Sequence, residues 1–508
     1  MKKLLFIFFI FSLYNSIGQT IPDSVLYFRN PDSAYKNEIT YKLGTTHFYQ
    51  LNNYKLAWIG KNQNYLRNEL CDISSYYKQL AFEENDFINN YCKQQEPKLL
   101  TIEDSIKLDM KITNAAIQFF KNLRYGNTPP DLSYKGLSYM PDYIKISELL
   151  AQHYKQNKLK NLLVALEPTA LEYLNTKKIY NQFLKVLDQI QFSEVRVTSS
   201  KTDSTNNPLI NKLIQLGILE GTNKIPQIEL VQKIKQAQKL FNLPPSGALD
   251  QYTLKAINIP LKNRLEELKN AIDNIKWIGE KRKINLIGIV NIPSANLFVY
   301  QNDTVAIYSK VIVGKTSTKT PTLISKVTEV VIYPYWNVPQ KIARKELLPA
   351  IKRNINYLER NNFQVLNSAG KLMNPYSIRW RRLSSHWFPY SIRQSTGCDN
   401  SLGILKFNFN NPFTVYLHDT PKKDAFNLSK RFLSHGCVRV EKPIELARLL
   451  MDTKANSLDS LTYQCLKNQE PKIIPLIKPM DIIILYNTAW FNQNGEIIFY
   501  EDVYSKTQ

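Results

Sequence analysis

The fold class predicted for this chain is multidomain α+β: a helical scaffold, a small three-helix unit, and a mainly β domain with a helical insertion. Three observations predict it. Over residues 23–192 apolar side chains recur at helical spacing, as in Ile106, Met110, Thr113, Ile117 and Phe120, and again over 147–187. Near Lys281 the pattern changes to INLIGIVNIPSANLFVYQNDTVAIYSKVIVGK, which alternates and is rich in β-branched and aromatic residues. Over 341–360 the segment KIARKELLPAIKRNINYLER returns to charged helical periodicity before strands resume near Ile404.

Taken in order, residues 1–18 have Lys2 and Lys3, an apolar run over 4–14 and then Ser16-Ile17-Gly18, the pattern of a secretory signal peptide. That run is far short of the roughly 20 residues a spanning helix needs, so the mature chain is expected to be exported without a transmembrane span. Residues 19–206 are expected to form the helical scaffold, ending in the loop-like VTSSKTDSTNNP of 197–208. A compact helical unit follows over 207–260, in which Ile228, Val231, Ile234, Ala237, Gln238 and Phe241 precede the turn LPPSG. Leu261, Leu265, Leu268, Ile272 and Ile275 mark an amphipathic connecting helix over 261–280. The β domain is expected over 281–508. Its insertion, about 340–395, is a candidate lid, and Asn494-Gly495 reads as the turn of a closing hairpin.

The formal net charge of +23 favours anionic surroundings. The lysines are scattered, however, and no arginine-aromatic stripe or nucleic-acid motif accompanies them, so an anionic cell envelope is expected rather than nucleic acid. Five cysteines in an exported chain leave at least one thiol unpaired. Cys71 and Cys92 could bridge two helices, Cys398 and Cys465 are unassigned, and Cys437 is the candidate free thiol.

Chemistry concentrates in HDTPKKDAFNLSKRFLSHGCVRV, residues 418–440, which holds two of the five histidines and Cys437. Cys437 precedes a helix opening at Pro443. A helix N-terminus and nearby imidazoles favour a thiolate, so the thiol is expected to have a lowered pKa and to act as a nucleophile. Amides around Gly436 and Cys437 could form an oxyanion hole. Spacing alone favours His435 as base, whereas His418 needs the loop to fold back. The pattern therefore supports a cysteine with at least one histidine performing acyl transfer through a thioester. Two alternatives weigh about equally: a zinc site of His418, His435 and Cys437, with Cys398 as an optional fourth ligand, which lacks paired CxxC or HxxxH ligands, and a packed cysteine beside satisfied histidines, which the surrounding loop glycine and serine argue against.

His418 followed by Ser434-His435-Gly436-Cys437-Val438-Arg439 resembles the signature of the L,D-transpeptidase (YkuD) catalytic domain, with Arg439 where many members have asparagine, as in the large Gram-negative branch. VNIP at 290–293, VGK at 313–315, Thr320-Pro321, WNVP at 336–339, Arg393-Gln394, Gly397, Asn400, Leu402-Gly403, Lys406-Phe407 and Thr488-Ala489-Trp490 are similar to that branch too. LEPTALEYLN at 166–175 is similar to its scaffold domain, and 207–259 resembles the peptidoglycan-binding domain, with departures at Ser246 and Asp250.

The resemblance implies Cys437 as nucleophile, His418 as base oriented by the backbone carbonyl near Asp419, and His435 as a second, polarising histidine. Ser434 would hold the loop and Arg439 would position a substrate carboxylate or the motif. Tyr416, Trp336 and Asn337 are expected to line the substrate cleft. The implied reaction joins peptidoglycan stem peptides, a tetrapeptide donor and a diaminopimelate acceptor, into 3-3 crosslinks in the periplasm, without metal or organic cofactor. Cell-wall synthesis proteins are the implied partners. The alternatives are an L,D-carboxypeptidase or related amide hydrolase using the same cysteine, and a non-catalytic wall-binding scaffold.

Overall fold

A computed structural model describes residues 39–60, 63–79, 86–93, 101–189, 194–196, 207–221, 225–451 and 469–506. The expected signal segment 1–18 and most of the loop 197–208 lie outside these residues. The described chain forms two compact units. One runs up to Asn127 and includes Met140–Thr169; the other comprises Thr128–Tyr139 and the chain from Ala170 onward.

The first unit is helical. Its longest helix, Ile102–Tyr125, starts where the Thr101 side chain accepts the Asp104 N–H at 3.0 Å. Glu103 and Asp104 lie at its positive end and Arg124 at its negative end. Ile106, Met110, Thr113, Ile117 and Phe120 form the buried stripe that the periodicity indicates. Cys71 and Cys92 are disulfide-bonded, joining helices Asn64–Gln79 and Asp86–Lys93.

The unit turns on one buried carboxylate. Asp109 accepts the N–H groups of Ala57, Trp58 and Ile59 at 2.7–3.1 Å and the Tyr49 hydroxyl at 2.5 Å, fixing a loop that has no ladder of its own. Burial pushes its carboxyl up to about 6 despite those donors.

In the second unit, helix Gln227–Leu240 presents Gln238, whose side chain bonds Gly247 N–H, the Ser246 hydroxyl, the Ala248 carbonyl and the Thr253 hydroxyl at 2.8–3.0 Å. One buried amide thus holds the LPPSG turn closed. Asp250 caps the next helix, Gln251–Ile257, by accepting Thr253 N–H at 2.7 Å. Helix Leu261–Ile284 then buries Leu261, Leu265, Leu268, Ile272 and Ile275. Its Arg264 is clasped by the rings of Phe241 and Phe499 and paired with Glu267 at 2.8 Å.

The β domain is a closed ring of strands. In chain order the strands are β1 (Tyr134–Lys135), β2 (Ile287–Asn291), β3 (Asn296–Gln301), β4 (Thr304–Gly314), β5 (Leu323–Ile332), β6 (Trp336–Asn337), β7 (Phe363–Leu366), β8 (Leu372–Met373), β9 (Ser391–Gln394), β10 (Leu405–Phe409), β11 (Leu417–His418), β12 (Phe432–Ser434), β13 (Val438–Val440), β14 (Lys472–Leu485), β15 (Ala489–Phe491) and β16 (Ile497–Phe499).

The ring order is β5-β10-β11-β13-β4-β3-β2-β14, and β14 pairs back onto β5. Asn302 and Asp303, both at positive φ, make the two-residue turn between β3 and β4. Val299, Val313, Phe407, Leu417, Val438 and Ile482 lie among the residues that fill the interior. The insertion is helical over 340–360, including a π-helical turn at Ala343–Leu347, and then forms the sheet β6-β9-β7-β8 over its own core. Charged helical periodicity reveals only the first part of it.

Replacing Asp109 with alanine leaves three N–H groups without an acceptor, those of Ala57 and Trp58 buried and that of Ile59 half-buried, at about 1–3 kcal/mol for each buried one. Hydrogen exchange at Ala57, Trp58 and Ile59 is expected to accelerate at least a hundredfold. Unchanged protection there would show that another group holds the loop.

Candidate active site

Strands β10, β11 and β13 place the reactive side chains. Lys406 pairs with His418 and His418 with Arg439 across the three strands; in the next row Phe407 pairs with Leu417 and Leu417 with Val438. Directly paired residues share a face, and successive residues alternate. Phe407, Leu417 and Val438 are fully buried in the barrel core, so Lys406, His418 and Arg439 occupy the opposite face. Tyr416 and Cys437, each two residues before a member of that row, fall on the same side, and Val438 N–H donates to the Tyr416 carbonyl at 3.1 Å.

The turn before β13 is fixed by hydroxyls. Ser434 donates to the Cys437 carbonyl at 2.6 Å and accepts Gly436 N–H at 3.1 Å. Gly436 sits at φ +123°, where a side chain would strain the backbone. Thr320 donates to the Gly436 carbonyl at 2.8 Å and accepts Gly314 N–H at 2.8 Å. Tyr504 in turn donates to the Gly314 carbonyl at 2.6 Å and accepts Thr320 N–H at 3.2 Å. The motif loop is thereby braced from β4, from the segment after it and from the C-terminal tail. Of the two amides expected near an oxyanion hole, that of Gly436 is engaged by the Ser434 hydroxyl.

His418 is buried, and its Nδ1–H donates to the Asp419 carbonyl at 2.5 Å. A carbonyl only accepts, so Nδ1 carries the proton and Nε2 keeps a lone pair. Burial, with Arg439 and Lys406 nearby, pulls His418 down to about 3, leaving the imidazole neutral at any working pH. The Asp419 carboxylate is engaged elsewhere, accepting Ile404 N–H at 3.1 Å and pairing with Lys423.

Cys437 is a free thiol, half-buried, and its Sγ lies 3.9 Å from the Thr414 carbonyl oxygen. Burial pushes the thiol above its ordinary 9, against the pull of hydrogen bonds from Tyr416 and the charges of Lys406 and Arg439. The sequence-based expectation of a lowered thiol pKa is therefore overturned: desolvation outweighs the nearby cations. Cys398 is disulfide-bonded.

The remaining expected residues divide. Tyr416 reaches the thiol: its hydroxyl donates to Cys437 and accepts from Trp336, and its ring meets His418 edge-on at 5.6 Å between centroids. Asn337 is exposed and pairs with Arg393 in the insertion sheet, one alternation away from Trp336. His435 is exposed, and its Nε2 contacts the Glu346 carboxylate of the π-helical turn at 2.9 Å. Sequence reasoning missed Lys406, whose ammonium lies 4.2 Å from the Tyr416 ring centroid; its alternation with Phe407 in LKFNF was the available signal. A neutral thiol with a lone-pair-bearing imidazole on its face can perform nucleophilic acyl transfer. Among the described residues no group of three or more His, Cys, Asp or Glu side chains is placed to hold a metal, and no helix is long and apolar enough to cross a membrane.

Comparison with known proteins agrees with this domain reading. Residues 286–456 match the family model of the YkuD L,D-transpeptidase catalytic domain, and residues 44–179 match that of a scaffold domain. A putative L,D-transpeptidase of Haemophilus influenzae is 38% identical over 215 residues, which make up 42% of this chain and 43% of that protein. The matched part thus spans less than half of that relative. Among solved structures, the Ldtfm-avibactam carbamoyl enzyme is 13% identical, covers 45% of this chain and 64% of its own, and has a TM-score of 0.18. A cysteine-to-serine mutant of the Enterococcus faecium L,D-transpeptidase is 12% identical, covers 45% and 65%, and has a TM-score of 0.17.

With the thiol raised and His418 neutral, Cys437 rests as a thiol and not as an imidazole-paired thiolate. Its alkylation by iodoacetamide is expected to accelerate about tenfold per pH unit from pH 6 to 8, following the thiolate fraction. A plateau reached near pH 6 would show a preformed ion pair instead.

Proposed function

For this chain, which carries a YkuD L,D-transpeptidase catalytic domain and a scaffold domain, we propose a peptidoglycan L,D-transpeptidase that forms 3-3 crosslinks through a thioester on Cys437. The observation that supports it most is the shared face of Cys437, Tyr416 and His418, with His418 held as the tautomer that can take a proton. His418 Nε2 removes the thiol proton as Sγ attacks the carbonyl of the diaminopimelate residue in a donor tetrapeptide. The terminal D-alanine leaves as its amine, receiving the proton from His418. The side-chain amine of an acceptor diaminopimelate then attacks the thioester, forming the new amide and restoring the thiol.

The Cys437 N–H, rather than that of Gly436, is the motif amide assigned to the developing oxyanion. Tyr416 acts on the thiol through its hydroxyl, and Trp336 orients that hydroxyl. Ser434 and Asp419 act by holding the loop and the imidazole through backbone groups. His435 is assigned to the junction with the insertion, which serves as the lid. Export to the periplasm, through the segment 1–18, is part of the same proposal. The units expected at 19–206 and 207–260 are assigned to hold the enzyme against the wall.

The test is intact mass of the purified protein with disaccharide-tetrapeptide, followed by mass analysis of the products. Wild type is expected to gain a D-alanine-less acyl adduct on Cys437 and to yield crosslinked dimers. Cys437→Ala is expected to give neither, and His418→Ala to lower acylation by about 10²–10⁴-fold, the usual worth of a general base. Tripeptide without dimers would replace transpeptidation by hydrolysis, and no adduct on wild type would end the acyl-transfer reading.

A further inference from the structure

Several buried or half-buried arginines of the second unit have partners. Arg282 meets Asp303 at 2.8 Å and Glu172 at 3.4 Å. Arg264 pairs with Glu267, and Arg431 donates to the Val311, Ser294 and Ala295 carbonyls at 3.0–3.2 Å. Arg439 differs: its Nε is buried with no hydrogen-bond partner. Among the described residues no carboxylate forms an ion pair with it or with Lys406. Glu329, the carboxylate whose charge reaches Lys406, already accepts from Asn408 at 2.6 Å. The Lys406 ammonium is instead over the Tyr416 ring at 4.2 Å.

Two cations therefore flank His418 in one cross-strand row. His418, between them, and Cys437, in the turn two residues before Arg439, are both neutral at rest. Strand spacing of about 4.8 Å puts the backbones of Lys406 and Arg439 roughly 10 Å apart, a span over which both long side chains can converge on one anion. A partly buried cation without a counter-charge is unfavourable, and a ligand that supplies the charge relieves that cost.

We propose that Lys406 and Arg439 form a carboxylate-binding site beside Cys437, taking the free carboxylate of a peptide next to the bond that is cleaved. The identity of that peptide rests on the transpeptidase reading; the anion site does not. In a donor tetrapeptide two carboxylates have this chemistry: the C-terminal one of the leaving residue and the one at the side-chain end of the acylated diamino acid.

The experiment compares alkylation of Cys437 by iodoacetate and by iodoacetamide in the full chain, with the modified cysteine confirmed by peptide mapping. Loss of a cation lowers the thiolate fraction equally for both reagents, so their ratio isolates attraction of the anion. The wild-type iodoacetate-to-iodoacetamide ratio is expected to exceed that of Lys406→Met by about tenfold, in line with one charged hydrogen bond. Lys406→Arg is expected to restore it, and raising the salt to lower it in the wild type. Equal ratios in wild type and Lys406→Met, or a wild-type ratio insensitive to salt, would overturn the site; the salt series needs no variant and decides even if Lys406→Met does not fold.

Turnover of tetrapeptides amidated at one carboxylate or the other then identifies the source. The analogue for which wild type and Lys406→Met no longer differ in kcat/KM marks the carboxylate that is bound. A difference that persists with both analogues overturns the peptide assignment. Absence of any wild-type turnover counts against the transpeptidase reading alone, because the alkylation ratio is measured without peptide.

Discussion

The pairing register of β10, β11 and β13 is the constraint on which the site depends. Because the side-chain period of a strand is two, one register sends Phe407, Leu417 and Val438 into the barrel and Lys406, His418 and Arg439 out of it. A slip of one residue would bury two charges and an imidazole among aliphatic side chains while exposing a phenylalanine, a leucine and a valine. Each buried apolar side chain is worth about 1.5–3 kcal/mol, and each unpaired buried charge costs several more. The chemistry is thus positioned by the packing of residues that take no part in it.

Register alone does not place the thiol, because Cys437 precedes β13 and lies in a turn. There the positioning passes to hydroxyls. Ser434 bridges an N–H and a carbonyl within the turn, and Thr320 and Tyr504 tie it to Gly314 at the end of β4. The partners are far apart in sequence, and their hydroxyls both donate and accept, so each satisfies two backbone groups at once. The loop also meets the insertion, since His435 contacts Glu346 on a π-helical turn, a local geometry frequent at functional sites.

Much of this was legible in the sequence, and what was not has physical reasons. Ser434 holding the loop and the Asp419 carbonyl orienting His418 followed from the family resemblance, and the buried stripe of 106–120 followed from periodicity. The direction of the thiol's pKa did not, because it is a balance between desolvation and charges brought in from two other strands, and spacing along one chain contains neither. The engagement of the Gly436 amide was hidden for a related reason: a serine two residues away can fold back on it, and only the turn geometry shows that it does. Lys406 was visible as a residue of β10 but not as part of the site, since its place beside Arg439 depends on two strand pairings. The insertion's sheet was obscured because its strands are two to four residues long, too short to establish a period.

The unpaired cations also bear on how a neutral thiol and a weakly basic imidazole could react at all. Burial first, then Arg439 and Lys406, hold His418 at about 3, which in the free protein makes it a poor proton acceptor and leaves Cys437 protonated. Under the proposed carboxylate site, the one carboxylate of a bound peptide offsets one of those two positive charges. Weaker repulsion favours proton uptake by His418 when the scissile carbonyl is in place, while burial, the larger cause of its low basicity, persists. The same neutralisation weakens the pull on the thiolate, which disfavours a resting ion pair and favours proton transfer in step with attack. The site would then trade a standing nucleophile, exposed to oxidation, for one formed only in the presence of the substrate carboxylate.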